Sequence, residues 1–136
     1  MNKVFNVGLI GCGHISETYF RGHEYFNNFK IVKCADLNKE ASSKCAQDYN
    51  IIASSVDELL NDPEIEIILN LTIPKAHYEV AKNSLESGKH VYSEKPMAVN
   101  FSDGEKLLEI SKSKNCLLYT SPSPRDYAAS RMPSSA

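Results

Sequence analysis

A chain of 136 residues, 42% hydrophobic and 24% charged, has the composition of one folded domain with a core of its own. A formal net charge of -2, from 15 basic and 17 acidic residues, offers no basic field for nucleic acid and no strongly acidic tail. The apolar runs are far too short to span a membrane, and residues 1–10 lack the basic start, apolar stretch and cleavage site of a secretory signal.

In chain order, the apolar run Val4–Ile10 predicts a strand that enters the turn Gly11-Cys12-Gly13-His14-Ile15-Ser16. This is the layout of a dinucleotide-binding strand-turn-helix: the first glycine permits the tight turn, the second lets backbone approach a pyrophosphate, and a third small residue lets helix and strand pack. Here the third position is Ser16 rather than Gly or Ala, and a plain glycine turn is the competing reading. Cys12 within it is either a redox-sensitive thiol or a small side chain that fits. A helix follows from about His14 to Tyr25, with Ile15, Tyr19 and Phe20 at helical spacing.

The cofactor reading requires a carboxylate at the end of the second strand, about 20 residues beyond the turn. Phe29–Ala35 is such a strand by its β-branched and apolar content, and Asp36 ends it. A solvated Asp36 is the alternative. A helix over Lys39–Tyr49, a short strand at Ile51–Ala53, a helix over Val56–Leu60 and the breaker Asn61-Asp62-Pro63 come next. The run Glu66–Thr72, apolar on both faces, predicts a central parallel strand. Pro74 opens a helix to about Ser87, with Gly88 as its left-handed stop. His90–Ser93 predicts the fifth strand, and Ser102–Lys112 a last helix capped by Ser102 with Glu105 as its capping box. Alternating strands and helices joined by right-handed crossovers imply an α/β fold, a doubly wound parallel sheet of the Rossmann type.

Cys12, Cys34, Cys45 and Cys116 form no CxxC and no Cys/His ligand spacing, which points to reduced thiols in a cytoplasmic protein and to no metal site. From Cys116 onward the sequence changes character. Cys116–Asp126 and Ser130–Ala136 resemble a translated sequencing adapter interrupted by a short index at Tyr127–Ala129. The expected organisation is therefore a dinucleotide-binding domain over residues 1–115 and a non-native tail over 116–136.

Three clusters fall at the carboxyl ends of predicted strands, where an open α/β sheet binds its ligand. They are the glycine turn, Thr72-Ile73-Pro74-Lys75-Ala76-His77, and Glu94-Lys95-Pro96 after Ser87-Gly88-Lys89-His90-Val91-Tyr92-Ser93. Together they resemble the oxidoreductase family of glucose-fructose oxidoreductase, inositol dehydrogenase and MocA, over residues 3–115. The resemblance implies that Gly11, Gly13, His14 and Ile15 surround the pyrophosphate and that Asp36 binds the adenosine ribose. It places Thr72, Pro74 and His77 along the cofactor cleft, with Glu94 and Lys95 beside the nicotinamide. His77 reads equally as a packed or capping histidine, and His23 and His90 as packing or solvent-facing residues.

A carboxylate accepts hydrogen bonds from ribose hydroxyls but meets a 2'-phosphate with like charge, so Asp36 favours NAD, while Lys39 leaves NADP open. Removing hydride from a secondary alcohol requires a proton acceptor, and Lys95 is the residue suited to that role. The resemblance further implies a C-terminal α/β domain, absent here, that supplies an Asp and a His to the active site and makes a homo-oligomer. The expected function is the nucleotide half of an NAD(P)-dependent dehydrogenase acting on a sugar, inositol or related polyol, the fragment itself inactive. The rival is a non-catalytic NAD-binding sensor.

Overall fold

The computed structural model describes residues 4–13, 19, 28–93 and 101–120. The helix expected over residues 14–25 lies outside them except for Tyr19, which is helical. Six strands, β1 (Phe5–Ile10), β2 (Phe29–Ala35), β3 (Ile52–Ala53), β4 (Ile67–Asn70), β5 (His90–Ser93) and β6 (Leu118–Thr120), form one sheet in the order β3-β2-β1-β4-β5-β6. All neighbouring pairs are parallel. The helices α1 (Lys39–Tyr49), α2 (Val56–Leu60), α3 (Pro74–Glu86) and α4 (Phe101–Ser113) connect them. The doubly wound sheet expected from the alternation is therefore present. The strand order reverses between β1 and β4, the switch point beside which such sheets bind ligands.

Side chains alternate between two cores, one on each face of the sheet, as the period of two in a strand requires. Val7 and Leu9 of β1 and Leu69 of β4 enter one face with Ile31, Cys34, Cys45 and Leu71. Ile10 and Ile68 enter the other with Leu59, Leu85, Val91 and Leu107. Gly8 faces the second core because a Cβ there would lie 2.5 Å from Leu59 Cδ2. The register of β1 on β2 jumps from Val7 opposite Ile31 to Gly8 opposite Lys33. This one-residue bulge at Val32 puts Ile31 and Cys34 on the same face although they are three apart in sequence.

Local chemistry accounts for the helix bounds. Asn38 Oδ1 accepts from the N–H groups of Glu40 at 3.0 Å and Ala41 at 3.4 Å, starting α1. Ser55 caps α2: its Oγ accepts from Glu58 N–H at 3.1 Å and donates to Glu58 Oε1 at 3.2 Å. The box expected at Ser102 is not a cap, because α4 already includes Phe101 and places Ser102 inside its first turn. Glycine at 88, with φ +81°, ends α3 as expected. The N–H groups of Gly88 and Lys89 return to the carbonyls of Leu85 and Ser84, closing a Schellman motif.

β6 was not expected. It lies beyond residue 115, where the sequence pattern ends the domain, and pairs with β5 from Val91–Leu118 to Ser93–Thr120. Cys116 and Leu118 pack against the core on the α4 side.

Candidate functional site at the switch point

Four strands finish level. Ile10 stands opposite Ala35 on one side and Asn70 on the other, and Asn70 stands opposite Ser93. The carboxyl ends of these strands therefore share one edge of the sheet.

Gly11 has φ +103°, and a Cβ on it would come within 2.6 Å of the Leu71 carbonyl and 2.9 Å of Thr72 N. Only glycine satisfies both the backbone angle and this approach to the chain leaving β4. Gly13 is exposed, and among the described residues a Cβ there would meet nothing within 4 Å. The turn thus has one glycine required by its own protein and another opening onto free space, which leaves room for a ligand to reach the main chain.

Asp36 is tied to that turn. Its Oδ2 accepts from Cys12 N–H at 2.7 Å and its Oδ1 from Asn38 N–H at 2.8 Å. Two oxygens held by backbone donors fix the carboxylate's orientation while leaving lone pairs for another donor. Asp36 also lines a cavity of about 600 Å³ with Leu37, Lys39, Ser54, Ser55, Asp57 and Glu58 among its walls.

On the other side of the switch point Asn70 organises the site. It is fully buried, and its Nδ2 donates to the His77 carbonyl at 3.1 Å and to Ser93 Oγ at 3.2 Å. Its Oδ1 accepts from Thr72 Oγ1 at 2.7 Å and Thr72 N–H at 3.3 Å. One amide therefore sets the turn after β4, the first turn of α3 and the end of β5. Its role was missed at the sequence level, although an asparagine closing the apolar strand Ile67-Ile68-Leu69-Asn70 is a signal, because a buried amide must find partners. His77 is only 1% exposed, which favours its packed reading over a surface contact in the cleft. Pro74 occupies the first turn of α3, where its missing N–H costs no helical bond.

The structure brings Gly11 against Leu71 and Thr72, Asp36 against Cys12, and Thr72 together with His77 and Ser93 through Asn70. His14, Ile15, Glu94 and Lys95 lie outside the described residues. Among the described residues, no helix is long and apolar enough to cross a membrane.

Comparison with known proteins agrees with this geometry. Residues 5–121 match the family model GFO_IDH_MocA, described as the oxidoreductase family, NAD-binding Rossmann fold. The scyllo-inositol 2-dehydrogenase (NADP(+)) of Bacillus subtilis is 31% identical over 114 residues, 82% of this chain and 31% of that enzyme. A biliverdin reductase from Synechocystis, solved with biliverdin and NADP+, superposes with a TM-score of 0.79 at 28% identity, covering 85% of this chain and 37% of the other. The WlbA dehydrogenase of Bordetella pertussis, solved with NADH and UDP-GlcNAcA, has the same fold at a TM-score of 0.84 and 24% identity, covering 89% and 36%. The chain spans about a third of the length of these proteins. A glycine turn packed on the β4 exit, an acid at the end of β2 and a match over residues 5–121 place this chain in the Gfo/Idh/MocA oxidoreductase family, as its NAD-binding Rossmann domain.

Proposed function

We propose that this chain is the nucleotide-binding half of an NAD-preferring dehydrogenase acting on the CH–OH groups of a sugar, inositol or related polyol. The observation that carries the nucleotide assignment is Asp36, oriented by two backbone N–H groups and lining a cavity of about 600 Å³. A ribose diol there has a carboxylate to receive its hydroxyl protons. A 2'-phosphate would meet the like charge of Asp36, softened by Lys39. The substrate class rests on the inositol dehydrogenase relative.

In this reading Gly11 and Gly13 let the backbone approach the pyrophosphate, with His14 and Ile15 continuing that surface. Thr72 and Pro74 shape the opposite wall, and Asn70 holds that wall in place. The bound dinucleotide would supply a ring that accepts or donates hydride. Lys95, two residues after the end of β5, takes the proton released by the substrate hydroxyl, with Glu94 beside it. The remaining catalytic groups and the oligomer interface would belong to a further domain of the parent protein.

Titrating the purified chain with NAD and NADP, followed by saturation-transfer NMR, tests the nucleotide assignment. Weak binding is expected, tighter for NAD, abolished by Asp36→Ala and without dehydrogenase turnover. Tighter binding of NADP overturns the preference, and turnover by this chain alone overturns its assignment as half of the catalytic machinery. In the restored full-length protein, Lys95→Met with unchanged activity overturns the proton-transfer role.

A further inference from the structure

The Sγ atoms of Cys12, Cys34 and Cys45 all lie within 4.8 Å of one another. They come from three separate elements: the glycine turn, β2 and α1. The bulge at Val32 is what turns Cys34 toward the other two, since an unbroken register would send it to the opposite face of the sheet. The trio contains neither imidazole nor carboxylate.

We propose that these three sulfurs form a binding site for a single soft, thiophilic cation of the Cu(I) or Zn(II) class, beneath the glycine turn. A trigonal site with metal–sulfur bonds of about 2.3 Å needs sulfurs about 4 Å apart, so a small contraction completes it. Three thiolates match soft d10 ions and reject Mg(II) and Ca(II), which require oxygen. Cys12 Sγ donates to the Ala35 carbonyl at 3.7 Å and Cys34 Sγ to the Ser42 carbonyl at 3.4 Å. Those weak bonds use thiol protons and leave sulfur lone pairs available. As the cation binds, the thiols release their protons to water, so affinity rises with pH. Cys12 is half-buried and is the member through which a cation enters.

The site adjoins the proposed nucleotide cleft, because Cys12 also supplies the N–H that holds Asp36. If the nucleotide reading is correct, a bound cation changes NAD affinity. The metal site itself does not depend on that reading, and NAD titration of metal-free protein tests the reading separately.

The experiment is an anaerobic titration of the reduced full chain with Cd(II), followed by its ultraviolet thiolate charge-transfer band, and then competition by Zn(II) and Cu(I). One equivalent is expected to saturate a three-sulfur band, with displacement by Zn(II) or Cu(I) and none by Mg(II). Cys12→Ser and Cys45→Ser should each weaken binding at least tenfold, while Cys116→Ser leaves it unchanged. Circular dichroism of each metal-free variant confirms folding. If a buried-site variant unfolds, the half-buried Cys12→Ser decides the matter. A missing band, a stoichiometry set by Cys116, or full affinity in Cys12→Ser overturns the proposal.

Discussion

The backbone N–H of Cys12 points at Oδ2 of Asp36 across 2.7 Å, joining the turn after β1 to the end of β2. The same carboxylate receives Asn38 N–H at 2.8 Å, one residue before α1 begins. Asp36 thus holds the geometry of the very loop whose proposed ligand it would bind.

Asp36→Asn keeps the side-chain shape but replaces an ionic acceptor with a neutral one. Hydrogen bonds to charged groups outweigh neutral ones, so a loss of about 1 kcal/mol is expected in urea unfolding. NAD affinity should fall further than this stability change implies, while NADP affinity should change less. Calorimetric titration of both nucleotides checks the contrast.

Gly11→Ala places a methyl group 2.6 Å from the Leu71 carbonyl at a residue with φ +103°. Both the clash and the backbone angle oppose it, and the neighbour is main chain that cannot swing aside. A loss of at least about 2 kcal/mol is expected. Gly13→Ala, with open space around its Cβ, should cost under about 1 kcal/mol yet reduce nucleotide binding. Thermal melts paired with NAD titration separate the two outcomes.

Asn70→Leu replaces an amide that makes four hydrogen bonds with a side chain that makes none. Thr72, Ser93 and the His77 carbonyl lose their shared partner in the interior. About 3 kcal/mol of destabilisation is expected, since each stranded buried group costs about 1–3 kcal/mol and some will find water. Amide exchange should speed up at Thr72 before the strands open.

Asp62 pairs with Lys33 Nζ and accepts Glu64 N–H at 2.9 Å, and these bonds, the lysine's first, hold its carboxyl below the ordinary value of 3.8. A folded value below the unfolded one gives stabilisation that is whole above pH 3.8 and is lost as pH falls through the folded value. Asp62→Asn should therefore flatten the acid limb of the stability curve. Urea midpoints collected from about pH 2 to pH 7 check this, with the wild type and variant converging at the acid end.

Elements whose signals are local were readable in the chain. The bounds of β2, α1, α2 and β5 follow β-branched runs and capping residues, and Gly88 stops α3 through a backbone angle that glycine adopts freely. Capping boxes are less decisive. Ser55-Glu58 and Ser102-Glu105 share the same spacing, but only the first pair begins a helix, because α4 already includes Phe101. β6 was not expected because the residues from Cys116 onward read as a non-native tail; the β5 edge supplies its hydrogen bonds.

The order of residues alone determined the alternation of strands and helices, the glycine turn and the acid that answers it, since each depends on backbone preference and short-range pattern. Tertiary structure decided what those pieces meet. It set the bulge at Val32, the reach of Asn70 to Thr72, His77 and Ser93, and the gathering of three cysteines that show no ligand spacing along the chain. The physical reason is that register and sheet order determine which distant side chains share a face, and neither is encoded within any one segment.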